Sequence, residues 1–203
     1  MFSDLVALKE AARGCQACRL HETRGCVVLP EGGDRVPVKA LFIGEGPGAE
    51  EDASGRPFCG RAGALLREQL RRLGFNRDNS SISNTVLCRP PENRDPKPDE
   101  MAACQIHLDE TVRLLNPYII CALGKIAALA TAGYRGSITK DAGKTVWSDR
   151  YQRPVCVMPH PSFYLRTKTS GLNEVMNRIR DAILVDAPHL YKEHENATAQ
   201  NQT

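Results

Sequence analysis

Short apolar runs alternate along the chain with stretches in which apolar positions recur at helical spacing. The runs cover residues 38–44, 82–87, 118–123 and 154–159. Runs of this length are typical of strands that are buried on both faces. The helix-like stretches cover residues 1–14, 61–75, 98–117, 124–133 and 172–185. Strands that alternate with helices predict an α/β fold, in which a parallel sheet is covered by helices on both faces.

The residues that follow the predicted strands are the first candidates for a functional site. In open parallel sheets, ligands bind beyond the carboxyl ends of the strands. The turns to inspect therefore follow Ile43, Leu87 and Met158.

The composition fits one globular domain. The chain has 203 residues, of which 41% are hydrophobic and 25% charged, and these values are ordinary for a folded domain. It contains no apolar run of about 18 residues that could span a membrane and no apolar segment of a signal peptide. We expect a cytoplasmic monomer whose domain covers residues 1–188, followed by a disordered polar tail at residues 189–203.

Charge alone does not identify a partner. The net charge is +3, which is too small to establish nucleic-acid binding. The arginines are clustered, for example in GRPFCGRAG, REQLRR and CRPPENRDPK. Such clusters serve either surface solubility or phosphate contact, and the sequence leaves both open.

A glycine-rich turn with several acids follows the first predicted strand, in IGEGPGAEEDASGRPFCG. It lacks the Lys and Ser or Thr of a phosphate-binding loop. Pro47 removes a main-chain donor, and the acids at residues 50–52 would repel a pyrophosphate. A nucleotide-cofactor site is therefore disfavoured. A plain solvated turn remains open, but it does not explain Phe58 in an otherwise polar loop.

Two further polar residues lie at predicted strand ends. Asn84 offers an acceptor and two donors, which suit the edge of a nucleobase, although a buried Asn can also tie down a turn. His160 lies between two prolines, which stiffen the main chain around the imidazole. A histidine at a strand end can equally well cap a carbonyl group.

Four of the eight cysteines have spacing that suits a metal centre. Cys15 and Cys18 form a C-x-x-C pair, Cys88 follows a predicted strand, and Cys104 lies on a predicted helix. Disulfides are uncommon in the cytosol, and four thiolates could hold zinc or an iron–sulfur cluster. Cys121 and Cys156 fall in strand runs, where we expect core positions, and Cys26 and Cys59 are left over.

Five ordered motifs together resemble the family 4 uracil-DNA glycosylases, the iron–sulfur class of bacteria and archaea. They are GEGPGAEEDASGRPFCGRAGALL, NTVLCRPPENRDPKPDEMAAC, ALG, SITKDAGK and HPSFYLR. The resemblance covers residues 4–185. It implies a three-layer α/β/α fold with a small four-stranded parallel sheet, and a [4Fe-4S] cluster held as a structural staple by Cys15, Cys18, Cys88 and Cys104.

The same resemblance implies roles in excising uracil from DNA. The base is flipped out of the helix into a pocket. Phe58 stacks on the ring and Asn84 reads its O4 and N3 atoms, while Glu51 lies near its C5 edge. The loop Glu45-Gly46-Pro47-Gly48 lies beside the sugar and uracil O2, Gly44 is a further substrate-binding residue, and His160 donates to O2. The acids of this loop would face the positive charge that develops on the sugar.

Water activation is assigned to Glu45 as a hypothesis, because Gly46 stands where the family 1 enzymes carry an aspartate. Residues Ser162, Leu165 and Arg166 are expected to contact DNA, with Leu165 or a neighbouring aromatic as the wedge and with Arg166 and Lys168 at phosphates. The sequence offers no evident lysine nucleophile, so we expect a monofunctional enzyme of base excision repair. The alternative is a catalytically inactive iron–sulfur module of the same fold that only binds DNA.

Overall fold

The computed structural model describes residues 2–167 and 172–183. The predictions for Lys168, for residues 184–188 and for the tail at 189–203 lie outside the described residues. The α-helices of the described part are α1 (Leu5–Arg13), α2 (Ala49–Ser54), α3 (Arg61–Arg72), α4 (Pro98–Leu115), α5 (Lys125–Ala132), α6 (Pro161–Thr167) and α7 (Leu172–Asp181). The strands are β1 (Glu31–Gly32), β2 (Ala40–Gly44), β3 (Ser80–Asn84), β4 (Ile119–Leu123), β5 (Thr145–Ser148) and β6 (Arg153–Met158).

The strands form one mixed sheet in the order β1-β3-β2-β4-β6-β5. The four central strands are parallel, and they are the four that the apolar runs predict. The edge strands β1 and β5 pair antiparallel with β3 and β6 and were not predicted. Both are short, at two and four residues, so neither carries a periodic signal. The α/β prediction is confirmed, and the four-stranded sheet is corrected to six strands.

Helices cover both faces of the sheet because successive side chains of each central strand point to opposite sides. On one face, Phe42 of β2 packs in a core with Leu66 of α3 and Met176 of α7. On the other face, Ile43 packs in a core with Leu108 of α4. Burying a large apolar side chain contributes about 1.5–3 kcal/mol, and these two cores therefore hold three layers together.

The second predicted strand has the wrong bounds. The prediction covered residues 82–87, whereas β3 is Ser80–Asn84. Ser81 is a polar residue that the sheet can bury, because its hydroxyl donates to the Glu31 carbonyl at 3.0 Å. After Asn84 the chain leaves the sheet, and Val86 and Leu87 pack instead in a separate cluster that contains Cys88 and Cys104. The turn of interest on this strand therefore begins at Thr85, not after Leu87.

None of the helices within residues 2–167 and 172–183 has both the length and the apolar composition that a membrane span requires.

Candidate active site

One cleft of about 670 Å³ lies beyond the carboxyl ends of the central strands. Its walls come from the residues that follow β2, β3, β4 and β6, as the topology predicts. Nearly all of the predicted side chains line it, namely Glu45, Gly46, Glu51, Phe58, Asn84, His160, Ser162, Leu165 and Arg166. The structure thus brings together residues that are up to 121 positions apart in sequence (Glu45 and Arg166).

Gly44 ends β2 opposite Asn84, its parallel partner on β3. A Cβ atom at Gly44 would lie 2.5 Å from Asn84 Oδ1 and 2.6 Å from Phe58 Cζ. Both distances are shorter than any van der Waals contact, so only glycine leaves the Asn84 amide and the Phe58 ring where they are. The predicted site residue Gly44 therefore matters because it has no side chain and leaves space for its two neighbours.

The Phe58 ring is held in place by its own main chain. Phe58 has a φ of 51°, in the left-handed region that a bulky residue rarely adopts, at a cost of order 1–3 kcal/mol. The Arg67 guanidinium donates to the Phe58 carbonyl at 3.0 Å and to the Pro57 carbonyl at 2.7 Å. A Cβ at Gly63 would lie 2.0 Å from the Phe58 carbonyl oxygen. Arg67 and Gly63 together hold this conformation.

The Glu51 carboxylate connects the two loops of the cleft. It accepts hydrogen bonds from the main-chain N–H groups of Gly48 at 3.1 Å, Cys59 at 3.0 Å and Gly60 at 2.9 Å. The loop before α2 and the turn that carries Phe58 are therefore fixed to one side chain. The sequence indicated a direct role for Glu51 at the base, and the structure adds this contact with the main chain.

Main-chain contacts account for Asp52, the next acid of the same run. It is buried, and its carboxylate accepts from the Gly25 N–H at 2.9 Å and 3.0 Å and from the Cys26 N–H at 3.4 Å. The Cys26 thiol donates to the Asp52 carbonyl at 2.6 Å. The interpretation that the acids of this loop face a developing cation is therefore wrong for Asp52, because main-chain donors occupy its carboxylate.

The imidazole of His160 is oriented by Ser162. The Ser162 N–H donates to Nδ1 at 3.3 Å, and the Ser162 hydroxyl lies 2.9 Å from Nδ1. Arg166 donates to that hydroxyl at 3.0 Å, which leaves the hydroxyl proton for Nδ1. A ring nitrogen that accepts carries no proton, so the proton of the neutral ring is on Nε2.

His160 is neutral at physiological pH. Burial, together with the positive charge of Arg166, lowers the pKa of His160 to about 4. Its ring lies beside that of Phe58, with centroids 5.7 Å apart and planes inclined by 33°. The cleft therefore contains an aromatic face and a neutral N–H donor side by side.

Glu45 is paired with an acid that the sequence reading missed. Burial, followed by the negative charge of Asp95 and a hydrogen bond with it, raises the pKa of Glu45 to about 7. Asp95 lies in the segment before α4, which Arg94 fixes by donating to both oxygens of Glu100 at 2.8 Å and 2.6 Å. Glu100 is fully buried. Only the folded chain brings Asp95 to Glu45, across 50 residues.

The four predicted cysteine ligands line one narrow cavity outside the cleft. Cys15, Cys18, Cys88 and Cys104 share its wall with apolar side chains, with Arg24 and with His107. Within residues 2–167 and 172–183, no three potential ligands lie close enough to hold a single metal ion. Cys121 and Cys156 are core residues, as expected.

The surroundings of these cysteines disfavour ionisation of their free thiols. Burial raises the pKa of Cys104 to about 12 and also raises that of Cys88. Arg24 donates to the Cys88 sulfur at 3.2 Å and to the Cys15 carbonyl at 2.8 Å. Four sulfur ligands in a largely apolar wall, with the Arg24 guanidinium beside them, would suit a metal centre that ionises the thiols and keeps a net negative charge next to Arg24.

Comparison with known proteins agrees with this arrangement. The family model for the uracil DNA glycosylase superfamily matches residues 30–183. The chain is 42% identical to a type-4 uracil-DNA glycosylase of Thermotoga maritima, over 83% of this chain and 87% of that protein. It is 40% identical to the type-4 enzyme of Pyrobaculum aerophilum, over 80% and 85%. It is 37% identical to that of Sulfurisphaera tokodaii, over 89% and 85%.

The predicted resemblance is therefore confirmed at the level of the family. The matched region runs from β1 past the end of α7 and so contains every wall of the cleft. The chain belongs to the uracil-DNA glycosylase superfamily, among the type-4 enzymes.

Proposed function

We propose that this protein is a monofunctional uracil-DNA glycosylase that starts base excision repair. It flips uracil out of DNA and hydrolyses the bond between the base and the sugar. One observation carries the proposal: Asn84, Phe58, His160 and Glu45 line a single cleft. A base recogniser, an aromatic face, a donor for the leaving group and a base for water are the parts that this reaction needs.

Asn84 selects the base. Its amide can donate to O4 of uracil and accept from N3–H, whereas cytosine carries the opposite pattern at these positions. Phe58 supplies the stacking surface for the flipped ring. Gly44 supports this assignment because it leaves the amide and the ring undisturbed.

His160 stabilises the leaving base. Breaking the N-glycosidic bond leaves negative charge on uracil, and a fixed donor aimed at O2 lowers the energy of that transition state. The Nε2–H of a neutral imidazole serves as this donor, since Nδ1 is occupied by Ser162. The ring needs no proton from solvent during the step.

Glu45 holds and deprotonates the attacking water. A carboxyl with a pKa of about 7 is a base that is substantially ionised at neutral pH and still able to take a proton. Its negative charge also favours the cationic sugar. Glu51 plays a positioning role, because its carboxylate is shared among three main-chain donors.

The DNA contact involves the cleft rim. Leu165 is 43% exposed and suits a wedge that fills the space left by the flipped base. Arg166 and Lys125 are exposed cations that line the same cleft, where they would contact phosphate. Ser162 keeps its predicted contact with DNA as a proposal, in addition to orienting His160.

The cofactor is an iron–sulfur cluster held by Cys15, Cys18, Cys88 and Cys104. The four cysteine side chains line one cavity, where each would supply one thiolate ligand to the cluster. When bound, the group cross-links the loop after α1, the segment after β3 and helix α4.

The test is release of uracil from a labelled oligonucleotide by the full chain. We expect an abasic site that breaks only after alkali, with no release of cytosine or thymine from matched strands. Borohydride reduction should yield no covalent protein–DNA adduct. Because Lys125 lines the cleft, any adduct that did form would be tested for its loss in Lys125→Ala. Failure of the cluster-loaded protein to release uracil, together with tight DNA binding, would instead identify the inactive binding module.

A further inference from the structure

His107 is a buried polar residue that the proposed reaction does not use. It lies on α4, three positions after Cys104, and lines the same cavity as the four cysteines. Its side chain is almost fully enclosed, with 7% of the residue exposed. Neither ring nitrogen has a hydrogen-bond partner within the described residues.

An imidazole in this position always carries at least one N–H group. An enclosed N–H without an acceptor is unfavourable. Much of the cavity wall is apolar, with Ala12, Leu20 and Val27 among its residues, and a leucine would fill the position without this cost.

The opposite pattern holds for Arg24, the other donor in the wall. Its guanidinium already reaches the sulfur of Cys88 at 3.2 Å. The Leu87 main-chain N–H also lies 3.4 Å from the Cys104 sulfur. Among the side chains of the wall, Arg24 donates to a ligand sulfur, whereas His107 has no acceptor within the described residues. Sulfur atoms of a cluster are acceptors, and such hydrogen bonds are a main determinant of cluster potential.

We infer that His107 donates a hydrogen bond from its ring to a sulfur atom of the cluster held by Cys15, Cys18, Cys88 and Cys104, an inference that rests on the proposed cofactor. His107 is not a ligand, since four thiolates complete the set. Together with Arg24 it stabilises the more negative, reduced form of the cluster. Its role is therefore to raise the reduction potential and to orient the cluster in the cavity.

The first experiment needs no variant. The full chain is expressed with ¹⁵N-labelled histidine, and the cluster is brought to a paramagnetic state by chemical reduction or oxidation. Pulsed electron paramagnetic resonance should then detect a histidine ¹⁵N coupling. A loaded cluster without this coupling would overturn the inference.

Variants assign the coupling. It should vanish in His107→Phe and persist in His21→Phe, because the His21 Nδ1 already lies 2.8 Å from the Cys18 carbonyl. The reduction potential should shift to a more negative value in His107→Phe and recover in part in His107→Gln, which restores an N–H donor. Equal potentials in wild type and His107→Phe would contradict the inference.

The two proposals fail in different ways. Purified protein without iron, inorganic sulfide and the broad visible absorption of a cluster would remove the proposed cofactor. Protein that carries all three, but lacks the histidine coupling, would remove only the role of His107. If His107→Phe does not fold, the labelled wild-type protein still decides.

Discussion

The cleft and the cysteine cavity differ in how their polar groups are satisfied. In the cleft, the groups that orient substrate are bonded within the chain: Glu51 to main-chain N–H groups, and His160 to Ser162. In the cavity, Cys104 is buried with a raised pKa, and His107 has no acceptor within the described residues. The first region is preorganised by the protein alone, and the second would be completed by the proposed cofactor.

This contrast separates rate from stability. Removing a side chain that lines the open cleft, such as that of His160, should cost more in rate than in stability, whereas Phe58 and Asn84 are buried and also support the fold. Side chains of the cavity connect segments that are distant in sequence. The following variants test that division, in order of decreasing effect.

Cys104→Ala should give the largest effect, and it should be on stability. Loss of a cross-link between distant segments costs about as much as loss of a disulfide, ~2–5 kcal/mol. For a chain of this size that lowers the melting temperature by roughly 4–20 °C, measured by circular dichroism. Cys59→Ala, which removes an exposed thiol, is the matched control and should melt like wild type. Equal melting of both variants would contradict the cross-link.

His160→Ala should lower the single-turnover rate of uracil excision by about 10²–10³-fold, the usual cost of losing one transition-state donor. DNA affinity and melting temperature should stay at the wild-type values. Ser162→Ala keeps the main-chain N–H on Nδ1 and should lose about tenfold or less. If the His160 variant reacted at the wild-type rate, His160 would not be the hydrogen-bond donor that stabilises the leaving uracil.

Gly44→Ala should reduce excision by about 100-fold. The added methyl group displaces the Asn84 amide or the Phe58 ring, since it would lie about 2.5 Å from both. The backbone of Gly44 is not in a glycine-only conformation, so the fold should persist. The same substitution at Gly14, where a Cβ meets no atom within 4 Å, is the control. Unchanged kinetics for Gly44→Ala would contradict the close packing of Gly44 against Asn84 and Phe58.

Glu51→Gln should reduce kcat/KM by about 10- to 30-fold, because small displacements of positioning loops are costly in rate. The carboxylate accepts through both of its oxygens, whereas glutamine has a single carbonyl oxygen, so the variant loses at least one of the three main-chain hydrogen bonds and accepts the others less strongly. Glu50→Gln, on the same helix, is the comparison variant. If Glu51 touched only the base, discrimination against thymine would change while the rate with uracil stayed constant.

Near neutral pH the pH dependence should be the smallest effect, because about half of the Glu45 carboxyl groups are already ionised there. Glu45, with a pKa raised to about 7, is the active base when it is deprotonated. The excision rate should therefore rise about tenfold per unit below pH 7 and level off above it. His160, with a pKa near 4, stays neutral throughout this range. Glu45→Gln should be slow and flat with pH, and an unaltered pH profile in that variant would assign the base elsewhere.

The sequence predicts the centre of the fold better than its edges. Buried parallel strands such as β4 are continuous apolar runs, which are easy to recognise. Strand β3 has the sequence SSISN and is nonetheless buried, because local acceptors satisfy its hydroxyls, as with Ser80 and the Asn76 carbonyl at 2.7 Å. Polarity therefore hid the true start of the strand.

The site residues divide in a similar way. Asn84, Phe58 and His160 stand in local motifs and could be predicted from them. The residues that hold them, such as Arg67, or that complete their chemistry, such as Asp95, act across folded contacts that have no local pattern. A cluster of acids in sequence likewise gave no sign that Glu51 and Asp52 bind different segments of the main chain.

Helix α2 is only six residues long, yet two adjacent residues of it bind two different segments of the chain. Glu51 fixes the loops of the cleft, and the adjacent Asp52 fixes the segment that follows the first cysteine pair. Any attempt to re-engineer base specificity by grafting a different loop between Gly48 and Gly55 would therefore also disturb the segment beside the proposed metal site. Design should leave this helix intact and vary the partners on β3 and after β6 instead.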